Sequence, residues 1–556
     1  MREHVEMISS LIGKIDYLSS KSIVKFLVYS SSIIFFFSLI FLPPVIGVLE
    51  NITYINVIFQ NPSLLSRANM AILQSFIMAF TVALADLVAA LPLSWFIARS
   101  KTKAVHVIDA LVDVPFLIPT AALGYSALLF WSDRGGISGV FGLESLIQPG
   151  FILVFLLQFA FSYPVIVRIM VGELLNYEEV YEVAARTLGA NPLTAVRTIT
   201  LPLLKPGIIA SFLLAFARSL SETGATVMVA GSWENGPVFI FRTLDAIDLP
   251  PYLKNGVLVY VSSMLMLTSV ILFFLISLLA PKLRFPVKFV FPNVERELSG
   301  SEAVKLRNIA ATLIFLFIVI SPSLFIALPV MNALFDGTIN MAFASLDPWD
   351  KFWRSMSNSY SISLSATLLN IVFGLPAAVL IARRKLGKAT PIFKAMVNVP
   401  IIVPSITLGF SLRLFWDRYG FLHEYWILLF SHIAITYTYF VESMAAAIES
   451  IPLEIEDVAS TLGAKPFMIF RKITLPLTRY SAFSGAILVF TRALGETGAA
   501  KAVAKTMECW TLPILLVNWI KSEAITSSQK ALGAGLYIAL SFLALLALRF
   551  LVRRSK

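Results

Sequence analysis

Charge is what this sequence has least of. Of its 556 residues, 14% are Asp, Glu, Lys or Arg and 58% are hydrophobic, whereas soluble globular chains carry about 25% charged residues. That deficit excludes an ordinary soluble domain. The strict polar/apolar alternation of an outer-membrane barrel is also missing, which leaves a polytopic helical membrane protein. There is one cysteine, Cys509, so no intrachain disulfide can form. The four histidines are scattered, and His423-Glu424 opens like a zinc-protease motif but has Ile427 where the second histidine belongs. Gly387-Lys388 is followed by Ala389, and Ala382 stands where a P-loop needs its first glycine. The chain is therefore expected to have no catalytic residues, no metal site and no nucleotide site of its own. The net charge of +11 is assigned to loops on the cytoplasmic side of a membrane rather than to a nucleic-acid partner.

Long apolar runs are abundant. The first, from about 23 to 49, is too long for the core of a cleaved signal peptide. Before it, Val5, Ile8, Leu11, Ile12, Ile15 and Leu18 recur at helical spacing, as in an amphipathic helix lying on a membrane surface. The hydropathy pattern predicts twelve spans, at about 23–49, 71–98, 106–131, 150–171, 203–230, 257–281, 308–332, 358–382, 395–416, 425–449, 477–500 and 531–552.

The chain also repeats itself. LPLSWFIARSK at 91–101 returns as LPAAVLIARRK at 375–385, and VPFLIPTAALGYSALLFW at 114–131 as VPIIVPSITLGFSLRLFW at 399–416. YEVAARTLGANPLTAVRTITLPL at 181–203 returns as IEDVASTLGAKPFMIFRKITLPL at 455–477, and FARSLSETGA at 216–225 as FTRALGETGA at 490–499. The second copy is about ten residues shorter between its third and fourth spans, where the first carries the polar stretch 132–150. The expected fold is all-α: two parallel six-helix repeats related by a pseudo-twofold axis along the membrane normal, since six spans return each half to the same orientation. The expected organisation is an amphipathic segment at 1–22, a first domain at 23–281, a cytoplasmic linker at 282–307 and a second domain at 308–556. Arg99, Lys101, Lys103, Lys282, Arg284, Lys288, Arg383, Arg384, Lys385, Arg553, Arg554 and Lys556 fall on one side, which places both termini in the cytoplasm of a multi-pass plasma-membrane protein.

Between spans four and five, residues 178–188 suit a short helix, Gly189 its left-handed C-terminal cap, and Pro192 the start of a second short helix that runs to a break at Leu201-Pro202. Glu456, Gly463, Pro466 and Pro476 repeat the arrangement. This pattern is similar to the EAA loop of ABC importer permeases, and the likeness covers both halves. The resemblance implies that Glu182, Ala184, Ala185, Gly189, Leu201 and Pro202 form one docking element and Glu456, Ala459, Gly463, Leu475 and Pro476 another. Val458 departs from the pattern. It further implies two separate ATP-binding subunits, which would hold ATP and magnesium, and an extracytoplasmic solute-binding protein. A secondary transporter, the rival class, would show inverted repeats and no such loops.

Arg218 and Glu222 lie four residues apart inside a span, as do Arg492 and Glu496, so each couple shares a helix face and suits an internal ion pair. Thr223 and Thr497 follow, each before a glycine, where a helix can loosen. Two roles are open for these six residues: pinning the halves together, or lining a translocation path and its gate. SETGATVMVAG resembles the corresponding stretch of sulfate, molybdate and tungstate permeases, and VDVPFLIPTAALG that of sulfate permeases. These likenesses imply an inorganic oxyanion as solute. The fusion of two domains is familiar from ferric-iron and thiamine permeases, which makes ferric iron the alternative.

Overall fold

The computed structural model describes residues 14, 16–282, 291–344 and 347–554. Of the amphipathic stripe expected at the N-terminus, Val5, Ile8, Leu11, Ile12 and Ile15 lie outside the described residues, as do residues 283–290 of the expected linker; Leu18 is described and exposed. Among the described residues there are helices and connections and no strand.

Among the described residues, nine helices are long and apolar enough to cross a membrane, and three bent pairs, each counted as one span, bring the number to twelve. Spans 1, 2, 4 and 6 are Ser22–Glu50, Pro62–Arg99, Phe151–Asn176 and Pro251–Leu279. Spans 7, 8, 10, 11 and 12 are Ser301–Phe335, Trp349–Ala382, Glu424–Glu449, Pro466–Leu494 and Ser527–Ala547. Span 3 joins Lys103–Phe116 to Thr120–Val140 at 110°, span 9 joins Gly387–Ile402 to Ser405–Trp416 at 105°, and span 5 joins Pro192–Leu203 to Lys205–Ser221 at 70°.

The bends within spans 3 and 9 go beyond the sequence analysis, which places one uninterrupted run at 106–131 and another at 395–416. Span 3 turns at Ile118-Pro119 and span 9 at Val403-Pro404, with Ile118 at ψ 124° and Val403 at ψ 132°. A proline keeps the residue before it extended and withholds its own N–H, so the helix cannot pass. The break expected at Leu201-Pro202 is corrected. Five-residue π-turns at Val196–Thr200 and Phe470–Thr474 precede Pro202 and Pro476; widening the helix there relieves the clash of the ring with the preceding turn. Helix continues to Leu203, and the first half bends only at Leu204, before Lys205-Pro206. The second half has Tyr480 in place of Pro206, and its span 11 runs unbroken.

Each half lends its opening span to the other. In span 1, the ring of Phe36 stacks on Tyr437 of span 10 at 5.8 Å; in span 7, Phe315 stacks on Tyr163 of span 4 at 5.9 Å. Phe35 stacks on Phe373 at 4.1 Å, and Ser126 Oγ donates to Pro322 O at 2.6 Å. Matching contacts made in both directions are what a twofold relation requires. The expected shortening falls at the end of the third span and the connection after it: the first half follows Thr120–Ser132 with a turn of helix, Ile137–Val140, that has no counterpart after Ser405–Trp416.

Candidate functional site

The first short helix after span 4 is Val180–Thr187, and the first after span 10 is Leu453–Thr461. Each ends as the sequence reading expects. Gly189 has φ +96° and Gly463 φ +85°. Ala190 N donates to Ala185 O, and Ala464 N to Ala459 O, which closes the terminal carbonyls in a Schellman turn. The two glutamates point inward. Glu182 Oε2 lies 3.7 Å from Arg99 and accepts from Thr200 Oγ1 at 3.5 Å; Glu456 Oε1 accepts from Arg383 at 2.7 Å and Thr474 at 3.0 Å. Glu182 and Glu456 thus tie each short helix to the end of span 2 or 8 and to the approach to span 5 or 11. The loops expose apolar side chains, Val180, Val183 and Leu188 in the first and Leu453, Val458 and Leu462 in the second, beside charged ones that include Arg186, Glu454 and Asp457. Ala184, Gly189 and Gly463 are exposed beside them, as is Pro476, while Ala185, Leu201, Pro202, Ala459 and Leu475 are half-buried.

Each loop also has a brace that the sequence reading missed. In the first, Leu193 N donates to Ser299 Oγ at 3.1 Å, Arg197 Nε donates to Glu295 at 2.8 Å, and Thr194 donates to the same carboxylate. Glu295 and Ser299 lie on and just after Pro292–Leu298, the short helix before span 7. In the second, Phe467 N donates to Ser19 Oγ at 3.2 Å, and Lys465 lies over the Tyr17 ring, both just before span 1. The only trace in the sequence is Leu18-Ser19-Ser20 against Leu298-Ser299-Gly300, too short to stand out.

Spans 5 and 11 stop at Ser221 and Leu494, and short helices Gly224–Val229 and Gly498–Val503 follow. Glu222 Oε1 accepts from Ala225 N at 3.2 Å and Glu496 Oε1 from Ala499 N at 3.0 Å, so each glutamate caps the helix after its break. The carbonyls freed before the breaks are satisfied across the halves. Thr120 Oγ1 donates to Gly495 O at 3.0 Å, and Ser405 Oγ donates to Ser221 O at 3.3 Å. The two Thr-Gly pairs touch: a methyl on Gly224 would sit 2.4 Å from Thr497 Oγ1, and one on Gly498 2.8 Å from Thr223 Oγ1. Glu222, Thr223, Glu496 and Thr497 are all buried there.

The arginines part company. Arg492 pairs with Glu496 at 2.9 Å. The matching pair expected of Arg218 and Glu222 is absent: Arg218 donates to Phe161 O at 3.2 Å and lies over the rings of Phe116 and Phe161. At the breaks themselves the hydrogen bonds between the halves are neutral, each worth about 0.5–1.5 kcal/mol. Beside the first break, Ser219 Oγ donates to Gln158 Oε1 at 2.6 Å, Gln158 Nε2 to Thr226 Oγ1 at 3.3 Å, and Ser162 to buried Asp86. In the second half Asn370 stands for Asp86 and donates to Thr436 at 2.8 Å. Lone polar residues in apolar spans are the signal that could have found this cluster. Among the described residues, no group of His, Cys, Asp or Glu converges on a metal position.

Two segments, residues 90–285 and 371–556, match the family described as binding-protein-dependent transport system inner membrane component. The chain is 32% identical to the sulfate transport system permease protein of Salmonella typhimurium, over 38% of this chain and 77% of that protein. It is 26% identical to the molybdenum transport system permease protein of Haemophilus influenzae, over 36% of this chain and 94% of that one. It is 28% identical to the molybdate/tungstate transport system permease protein of Pyrococcus furiosus, over 36% and 79%. Each relative thus matches little more than a third of this chain.

Proposed function

The chain belongs to the family of binding-protein-dependent transport system inner membrane components, and from that membership we propose that it is the membrane-spanning part of an ATP-driven importer for an inorganic oxyanion of the sulfate, molybdate or tungstate type. Two permease domains act in one chain, corresponding to the two segments that match the family. The observation that carries the reading is the doubled loop: two capped helices, each tied by its glutamate to a span and each presenting apolar side chains outward, suited to two copies of one ATPase. The loops face the cytoplasm in this reading, and a solute-binding protein delivers its cargo to the opposite face.

ATP-driven closure of the ATPases pushes on the two loops. The glutamate ties pass the motion to spans 2, 5, 8 and 11, and the reciprocal seam at the Glu-Thr-Gly breaks parts. Glu222 and Glu496 fix the backbone of the breaks, and Thr223 and Thr497 fill the path when it is shut. Arg492 neutralises the carboxylates so that a dianion is not repelled there. Ferric iron, the alternative, is favoured by the fusion alone; a cation path would be a poor match for the arginine of the seam. The test is ATP hydrolysis and uptake by the chain reconstituted with its ATPase and binding protein. Stimulation by sulfate, molybdate or tungstate is expected, and stimulation by ferric iron alone would overturn the solute assignment.

A further inference from the structure

Between the halves, at the end of the bundle away from the coupling loops, lies a concentration of positive charge. Its place follows from span 2: Arg99, at one end, meets the first coupling helix, and Arg67, near the other, holds Glu234 at 2.7 Å. Glu234 also holds Arg242 at 2.8 Å, on the helix Gly236–Asp245. That helix and its counterpart Leu512–Lys521 are ten residues each, too short to span and placed one per half over the breaks.

Lys501 stands on Gly498–Val503, just past Glu496, and pairs across the halves with Asp245 at 2.5 Å. Its ammonium lies 5.1 Å from the centre of the Phe241 ring, and that of Lys521 lies 4.5 Å from the same ring. Lys254 donates to Leu244 O and Ala246 O, and Arg413 to Ala502 O. Arg242 is committed to Glu234 and Arg413 to Asp417, and among the described residues Asp245 is the carboxylate within ion-pair distance of Lys501. Among the described residues no carboxylate lies within ion-pair distance of Lys521. The repeat makes this placement pointed: Lys501 takes the position of Val227, and Lys521 ends its helix where Asp245 ends the other.

We propose that Lys501 and Lys521, converging on the Phe241 ring, form an anion-binding station for a small tetrahedral dianion above the seam, and that Asp245 is the internal competitor which the anion displaces from Lys501. A doubly charged oxyanion accepts hydrogen bonds from both ammonium groups at once, which a single carboxylate held by one of them does not. Releasing Asp245 undoes an ion pair that joins the halves, so arrival of solute loosens the seam beneath it. The station rests on the oxyanion reading. Lys521 reaches solvent, yet the protein around it desolvates its ammonium and pushes it down to about 8, with Asp245 opposing the shift and Arg242 and Lys501 adding to it. The station then loses charge, and anion, as pH rises through that value.

The test is equilibrium binding of radiolabelled sulfate to the full chain in lipid nanodiscs, with molybdate and tungstate as competitors and no ATPase present. Lys521→Gln is expected to weaken binding by about tenfold, the equivalent of about 1.4 kcal/mol. Asp245→Asn is expected to tighten it, although it removes an ion pair; a purely structural pair would give weaker binding and a less stable protein. Unchanged binding in Lys521→Gln, or weaker binding in Asp245→Asn, overturns the station. Oxyanion uptake by the full complex that ignores both substitutions overturns the station alone, whereas a complex that takes up no oxyanion overturns the reading beneath it.

Discussion

In the second half, Arg492 holds Glu496 at 2.9 Å within one helix, while in the first half Arg218 turns from Glu222 to the Phe161 carbonyl and two aromatic rings. The sequences at these positions are nearly identical, so the difference comes from their surroundings. A homodimer of identical halves would have to use both arginines alike; fusing the halves lets one arginine become the counter-ion and the other a packing group. The same freedom replaces Asp86 with Asn370, Pro206 with Tyr480, and Val227 with Lys501.

The sharpest way to break that comparison is to remove each arginine in turn. Arg492→Ala leaves buried Glu496 without its partner and is expected to cost about 3 kcal/mol. Arg218→Ala loses ring contacts and one hydrogen bond, about 1 kcal/mol. Thermal unfolding of the two variants in detergent measures the gap, and equal losses would mean that the halves share their charges evenly. Gly224→Ala and Gly498→Ala probe what the halves have in common. Each drives a methyl into a threonine of the other half, Thr497 or Thr223, with an expected loss of about 1–3 kcal/mol and nearly equal effects on uptake.

Smaller effects are expected at the loops. Glu456→Gln weakens a 2.7 Å contact with Arg383, whereas Glu182→Gln weakens a 3.7 Å contact while Arg99 keeps Glu179. Solute-stimulated ATP hydrolysis should therefore fall further in Glu456→Gln, and a larger fall in Glu182→Gln would reverse the assignment. The brace of the first loop gives the mildest signal. The Thr194 hydroxyl, with Arg197 beyond it, holds the Glu295 carboxyl below its ordinary value against the opposing effect of burial. A depressed carboxylate contributes stability above its unfolded value of about 4.3 and loses it as pH falls through the lower folded value. Wild type should lose stability on acidification below about pH 4 more steeply than Glu295→Gln, as read by unfolding at a series of pH values.

Much of this architecture could be read from the residues. Four repeated blocks located the halves, hydropathy located the twelve spans, and Gly189 and Gly463 marked the ends of the two short helices. The fate of each proline could not be read. Pro119 and Pro404 break their spans, Pro206 bends one, and Pro202 and Pro476 are passed over by a π-turn. A local sequence does not say whether a helix will widen or stop, because packing of the neighbouring spans decides. The exchange of spans 1 and 7 has no local signature either, since the face of Phe36 or Phe315 is apolar whichever half it meets. The direction of Arg218 was illegible for the same reason: i, i+4 spacing permits an ion pair but does not compel one where aromatic rings compete.

The central claim, that two loops of one chain each seat an ATPase, is tested most directly by counting ATPase copies on the purified complex. Leu188 and Leu462 are 90% and 83% exposed at the tips of the loops. Leu188→Asp and Leu462→Asp are each expected to lower the ATPase bound per chain, and the double variant to remove it, with the unfolding temperature of the chain unchanged. A double variant that still retains ATPase at the wild-type ratio would contradict the account.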